Sequence, residues 1–269
     1  MLVENTLYGE VNKVEEAIYE LRVHEPPEGY YIAFSGGKDS CVVLDLCRRA
    51  GVDYDVHFNV TTVDPPELLY FIAKEYPDAW EGKNVPELPM WELIPKKKMP
   101  PTRGHRYCCQ YYKEQGGAGR IVVTGVRHAE SARRAKRKLF EKCLYHPGKR
   151  YLHPIIEWSD AEVWEYIHSY QLPYCKLYNE GLKRIGCVMC PYQGINGMKR
   201  DALRWPQIAR NYVRAFDKML AERRANGLKT QWQTGDDVMR WWLMEDHRIR
   251  EGDPRIPLLF GVTADESYF

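Results

Sequence analysis

The stretch Tyr30-Tyr31-Ile32-Ala33-Phe34-Ser35-Gly36-Gly37-Lys38-Asp39-Ser40, running on into Cys41-Val42-Val43-Leu44-Asp45-Leu46, constrains the fold more than any other part of the chain. Its first five residues are apolar and bulky, the composition of a buried strand. From Val42 onward, Val43, Leu44, Leu46 and Cys47 fall at helical spacing. A short polar turn must therefore join strand to helix, and its two adjacent glycines let the backbone approach a ligand closely. Ser35, Ser40 and the unpaired amides at the helix start are donors. Lys38 opposes the helix dipole there, a mild cost that a bound phosphate would reverse. The turn reads as an anion site, above all a phosphate site.

The rest of the chain supplies further strands and helices in alternation. Leu7, Val11, Val14, Ile18 and Leu21 predict an amphipathic helix over 5–24, ending before Pro26-Pro27. A second strand is expected over Tyr54 to Val60, which places Thr61 and Thr62 at its carboxyl end, where parallel sheets bind ligands. Pro65-Pro66 opens a helix through Tyr76. Residues 77–107, rich in proline and basic side chains, read as a long irregular segment. A third strand follows over Ile121 to Val126. This alternation predicts an α/β fold: a Rossmann-like parallel sheet with helices on both faces, followed by a C-terminal helical region. Three parts are expected: an N-terminal helix (1–27), a nucleotide-binding α/β domain with a cysteine cluster (28–195) and a helical extension (196–269).

Composition narrows the setting. With 269 residues, 44% of them hydrophobic, the chain suits one α/β domain with a substantial appendage. No apolar run approaches the roughly 18 residues of a membrane helix, so no membrane partner is expected. The first residues lack the basic-then-apolar order of a signal peptide, which predicts a cytoplasmic protein. In that reducing setting the eight cysteines are metal ligands sooner than disulfides. Net charge is only +2, yet residues 51–95 hold nine acidic against two basic side chains, and residues 96–150 hold sixteen basic against three acidic. Such a basic block implies a polyanionic partner: nucleotide phosphates, a sulfate group or nucleic acid.

Within that block, Thr124-Gly125-Val126-Arg127-His128-Ala129-Glu130-Ser131-Ala132-Arg133-Arg134 leaves the third strand. Gly125 supplies a flexible turn, and Arg127 and Arg134 are candidates for planar, paired contacts with phosphate or sulfate. Glu130 is placed to orient one of these arginines. Lys136-Arg137-Lys138 reads as an exposed charged helix. Further on, Ser159 with Glu162 forms a capping box that opens another helix. Four cysteines stand out: adjacent Cys108 and Cys109, and the pair Cys187-Val188-Met189-Cys190. Neighbouring side chains diverge, so an adjacent pair suits a large object with separated corners, such as a cubic iron–sulfur cluster. A four-thiolate zinc site and a redox-active Cys-x-x-Cys are the rivals.

The hexapeptide Ser35–Ser40 resembles the pyrophosphate-binding loop of the PP-loop (N-type) ATP pyrophosphatases. The paired Cys108-Cys109 with the distant Cys187-x-x-Cys190 narrows the likeness, over about residues 28–195, to the phosphoadenosine phosphosulfate reductase family. That family includes adenylylsulfate reductases with a [4Fe-4S] cluster and sulfur-transfer proteins of DNA phosphorothioation. The resemblance implies a [4Fe-4S] cluster on Cys108, Cys109, Cys187 and Cys190, with Lys113 between cluster and substrate. Tyr112 stands where the reductases carry arginine. Gly125-x-Arg127-x-x-Glu130-Ser131-x-x-Arg134 is similar to their anion-binding segment. Two departures matter: no cysteine follows Cys190, where the reductases use a Glu-Cys-Gly nucleophile, and the lysine-bearing loop is intact, as in enzymes that hold ATP.

The expected activity is thus ATP-dependent adenylation of an acceptor for sulfur insertion. Ser35, Gly36, Gly37, Lys38 and Ser40 would cradle the pyrophosphate, Lys38 and Mg²⁺ would stabilise its charge, and Asp39 would help to hold the ion. Arg127 and Arg134 would clamp an anionic group, with Thr61 and Gly125 lining the nucleotide site. Partners implied are an adenine nucleotide and a sulfur donor or thiol-reductant protein. A homo-oligomer is compatible with the sequence. The alternatives are a sulfonucleotide reductase using an external thiol and a nucleotide-responsive nucleic-acid-binding module.

Overall fold

Strand, turn and helix form where the central stretch places them. In a computed structural model that describes residues 1–7 and 9–244, β3 covers Tyr30–Phe34 and α2 covers Lys38–Ala50. They are preceded by β1 (Val3–Thr6), β2 (Gly9–Asn12) and α1 (Lys13–Val23). After them come β4 (Tyr54–Phe58), α3 (Pro66–Glu75), α4 (Pro77–Glu81), α5 (Met90–Lys97), α6 (Tyr107–Tyr112) and β5 (Ile121–Val123). The remainder comprises β6 (Phe140–Lys142), β7 (Arg150–Leu152), α7 (Asp160–Ser169), α8 (Gly194–Arg204), α9 (Pro206–Ala225) and α10 (Gly235–Trp242).

The main sheet has the order β4-β3-β5-β7-β6; every neighbouring pair is parallel except the antiparallel β6–β7. Along β3, Tyr30, Tyr31, Ile32 and Phe34 are all buried, so side chains of both parities are covered, as in a sheet protected on both faces. The chain runs from β3 to β4 on one side and returns to β5 on the other. Such a reversal opens a crevice beyond the carboxyl ends of β3 and β5.

The α/β fold is as expected; several elements differ. The predicted helix over 5–24 begins only at Lys13, because Asn12 caps it through the amides of Val14 and Glu15, at 3.1 and 3.3 Å. Residues 3–6 and 9–12 pair as an antiparallel hairpin, and Leu7, read as part of the apolar helix face, is fully exposed at its turn. The segment 77–107 is not irregular throughout. It contains α4 and α5, the latter ending at Lys98 in a left-handed conformation (φ 56°). Residues 136–138 form no α-helix: Lys136 ends a 3₁₀ turn over Arg134–Lys136, and the chain then leads into β6 of a hairpin that sequence patterning missed.

The chain divides into two compact units: Met1–Pro86 with Cys109–Cys187, and Glu87–Cys108 with the chain from Val188 onward. The first holds both sheets. In the second, Tyr212, Phe216 and Trp242 form a ring cluster with centroids 5.0–6.1 Å apart. Residues 87–108 thus group with the later helices. Of the helical extension expected over 196–269, residues 245–269 lie outside the described residues. Among the described residues no helix is long and apolar enough to cross a membrane.

The capping box at α7 is present and carries a measurable charge effect. Ser159 Oγ accepts the Glu162 N–H at 3.2 Å, and Glu162 Oε2 accepts the Ser159 N–H at 2.7 Å. Lys13 donates to Glu162 Oε1 at 2.5 Å. Burial alone would raise the Glu162 carboxyl, but Lys13 and the Ser159 donors outweigh it and bring it from 4.5 to about 2. The folded value lies below the unfolded one, so this stabilisation is complete above about pH 4.5 and is lost as pH falls towards 2. Glu162→Gln is expected to flatten that acid limb in denaturant titrations across pH; an unchanged slope would contradict the assignment.

Candidate active site

The turn after β3 is shaped by Gly36, whose φ of +70° is left-handed. A Cβ there would also lie 2.7 Å from the side-chain ends of Leu68 and Ile72, so the turn rests directly on α3. The two serines predicted as donors face each other, Oγ to Oγ, at 3.2 Å. Ser40 Oγ accepts the Ser35 N–H at 3.2 Å and donates to the Gly37 carbonyl at 2.8 Å. Ser35 Oγ accepts the Gly37 N–H at 3.4 Å. These bonds brace the loop from within its own residues. At its end the Lys38 amide, first of α2, donates to the Tyr178 hydroxyl at 2.9 Å.

Lys38 is 4% exposed, and its ammonium is neutralised by two carboxylates. It lies 2.8 Å from Asp160 and 3.1 Å from Asp39. The charge therefore has protein partners, so Lys38 can sit at this helix start without a bound phosphate. Arg127, 3% exposed, meets the same two acids. Its Nε donates to Asp39 at 2.7 Å, Nη2 to Asp160 at 3.0 Å and Nη1 to the Trp158 carbonyl at 3.1 Å. Asp160 is the open member of this ring, with 63% of its side chain exposed. Partial burial works to raise its carboxyl, but Lys38 and then Arg127 hold it below the usual carboxylate range.

Gly125 lets the segment after β5 pass close against the start of α2. A Cβ on it would stand 2.9 Å from the Asp39 backbone, so it serves a close approach; the turn expected there is not formed. Arg134 stands one step away, ion-paired with Glu130, whose carboxylate also accepts the Arg127 N–H at 3.0 Å. Sequence reasoning missed Asp160 and Tyr178. The first is hidden in a capping sequence and the second in a tyrosine-rich stretch, and neither has a local signal for a partner so far upstream.

A second constellation gathers beyond β4. Thr61, expected at the sheet's binding edge, is buried, and its N–H and Oγ1 each donate to Asp64 at 2.7 Å. The adjacent Thr62 has φ 62°, a strained conformation for a β-branched residue. Cys187 Sγ lies 3.4 Å from Thr61 Oγ1. Lys113 exposes part of its surface, and its ammonium is raised above the ordinary lysine range, first by the Cys187 thiolate, against desolvation, and further by Asp64 and Cys109. Burial raises the Asp64 carboxyl. Cys109, Lys113, Cys187 and Thr61 are thus associated within the first unit, as is Asp64, which patterning did not single out.

The other two cysteines belong to the second unit, since the boundaries fall between Cys108 and Cys109 and between Cys187 and Val188. Ahead of Cys190, Met189 is buried with φ 57° and donates its N–H to the buried Asp201 at 2.9 Å. Gln193 donates to the same carboxylate at 2.7 Å, so Asp201 anchors the turn on both sides of Cys190. Among the described residues no three His, Cys, Asp or Glu side chains gather as ligands for a single ion.

Comparison with known proteins matches residues 29–193 to the phosphoadenosine phosphosulfate reductase domain family. An uncharacterised protein of Methanocaldococcus jannaschii is 32% identical over 234 residues, covering 82% of this chain but 43% of that protein. The chain thus spans less than half the length of that relative. An adenosine 5′-phosphosulfate reductase of Staphylococcus epidermidis is 26% identical over 214 residues, covering 73% of this chain and 85% of the enzyme. The crystal structure of a phosphoadenylyl-sulfate reductase from Candida auris, a phosphate complex, superposes with a TM-score of 0.50 at 21% identity, over 64% of this chain and 88% of that one. This last likeness concerns the fold.

Proposed function

Because the chain belongs to the phosphoadenosine phosphosulfate reductase family, we propose that it is an ATP-consuming, adenylating enzyme of sulfur transfer that carries a [4Fe-4S] cluster. The observation that carries this reading is the internally braced Ser35–Ser40 loop, with buried Lys38, at the crevice where the strand order reverses. In the proposed reaction an acceptor oxygen attacks the α-phosphorus of ATP. The bond to the bridging oxygen breaks, pyrophosphate leaves and AMP stays on the acceptor, whose proton passes to solvent. Lys38 and the loop amides would hold the departing charge. Arg127 would position Asp39 and, through the shared acids, Lys38, since Nε and one N–H of each terminal nitrogen already meet protein acceptors.

The donor sets decide how bound groups would fit. Both oxygens of Asp39 face Lys38, and one of them also faces Arg127, so Asp39 is a poor magnesium ligand as it stands. An ion arriving with the nucleotide would be held by phosphate oxygens and water. Four cysteines, two of them beside the Lys113 ammonium, are chemically suited to an iron–sulfur cluster, and in a cubane each thiolate binds a separate iron. When bound, the cluster would supply iron that can carry sulfide, or serve as a scaffold. Lys113 would offset its thiolate charge.

Reduction of adenosine 5′-phosphosulfate is a second reading, favoured by the match across 85% of the staphylococcal reductase. Anaerobic purification followed by parallel assays separates the two. The expected result is a brown protein with about four irons and four sulfides per chain that forms AMP and pyrophosphate from ATP with a suitable acceptor. Serine substitutions at Cys108, Cys109, Cys187 or Cys190 should each lower the iron content. Stoichiometric zinc without iron would remove the cluster. Sulfite from adenosine 5′-phosphosulfate and a thioredoxin-type reductant, with no pyrophosphate from ATP across a panel of acceptors, would establish the second reading.

A further inference from the structure

We propose that Asp160 and Tyr178 are built-in competitors for the phosphate site: in the free protein their oxygens occupy the donors of Lys38, and a nucleotide enters by displacing them. The inference rests on the phosphate reading of the Ser35–Ser40 loop. A phosphate chain at this turn needs two donors above all, the first amide of α2 and the ammonium of the same residue. Both are occupied. The amide meets a phenol oxygen at 2.9 Å, and the ammonium meets a carboxylate oxygen at 2.8 Å. Neither acceptor comes from the loop.

The two acceptors share one support. Asp160 is the first residue of α7, and Trp164 of that helix holds the Tyr178 ring edge-on at 5.3 Å. They also differ from Asp39 in how easily they can leave. Asp39 faces Lys38 through both oxygens and holds Arg127 at 2.7 Å, whereas Asp160 meets Lys38 and Arg127 through one oxygen only, and its side chain, 63% exposed, can rotate into water. Tyr178 gives up one hydrogen bond when it withdraws, and water at the open loop can replace it. Asp160 also adds a negative charge at the mouth of an anion site, which opposes entry of another anion. Removing either competitor should therefore improve phosphate binding, whereas loss of a merely structural contact would weaken it.

The test is calorimetric titration of the full chain with inorganic pyrophosphate and with ATP, both in EDTA so that no metal links ligand to carboxylate. Asp160→Asn keeps the side-chain shape without the charge, and Tyr178→Phe keeps the ring without the hydroxyl. Each is expected to tighten both ligands by roughly two- to tenfold, the scale of one competing hydrogen bond or exposed ion pair. Thermal melts check folding, and if Asp160→Asn does not fold, Tyr178→Phe decides alone. Unchanged or weaker binding in folded variants, with the parent binding normally, overturns the displacement and leaves the phosphate reading intact. If neither parent nor variants bind either anion, the phosphate reading falls and takes the displacement with it.

Discussion

Substituting Lys38 with alanine is expected to lower pyrophosphate release from ATP by about 10²–10³-fold, the loss typical of one positioned donor where charge develops. The ammonium is buried, so water cannot readily take its place. The nearest other cation, Arg127, is committed to Asp39, Asp160 and the Trp158 carbonyl. Folding should survive the change. Asp160 is exposed enough to hydrate and Asp39 keeps its arginine, so no isolated carboxylate is left buried. Lys38→Arg should not restore turnover, because a planar fork does not fit a compact ammonium site bounded by two acids. Product analysis and a thermal melt, run together, give the answer. Turnover within a few fold of the parent in a folded Lys38→Ala protein would remove Lys38 from the chemistry.

Arg127→Ala should act on stability as well as on ligand binding, at a cost of about 2–3 kcal/mol in unfolding free energy. Three hydrogen bonds disappear together, and the buried Trp158 carbonyl loses its donor. Two carboxylates lose a shared partner, but the exposure of Asp160 keeps the penalty below that of a fully buried broken pair. Lysine at 127 should restore little, since one ammonium cannot reach three acceptors that the guanidinium meets through three different nitrogens. Alanine at the exposed Lys136 should change stability by less than about 0.5 kcal/mol. Denaturant midpoints measured under matched conditions make the comparison. Equal, small effects at both positions would mean that the hydrogen bonds of Arg127 contribute little to stability.

The strand–turn–helix at 30–50 was legible because buried apolar runs, glycines and polar donors are all local signals. The same holds for the capping box at Ser159 and Glu162. Local patterning failed where distance or a short break decided the outcome. Residues 5–12 have apolar positions at helical spacing, yet Gly9 at φ 118° and the Asn12 cap turn them into a hairpin. Arg127 stood out in its sequence context, but its three acceptors did not, because they lie 31 to 88 positions away. The role of Asp64 was equally hidden: a buried carboxylate between a valine and a proline shows no pattern until Thr61 folds back onto it.

The position of β3 between β4 and β5 also sets an order of events in time. Its pairing with β4 closes across a single helix, whereas its pairing with β5 waits for residue 121. The bonds that lock the turn are more distant still: Arg127 reaches Asp39 across 88 positions, and Tyr178 reaches Lys38 across 140. Loops of such length close slowly, so β3, α2 and β4 can assemble while Lys38 is still hydrated and one edge of β3 is still open. During synthesis that edge is a strand seeking a partner, and until β5 arrives it is a place where two unfinished chains could pair with each other.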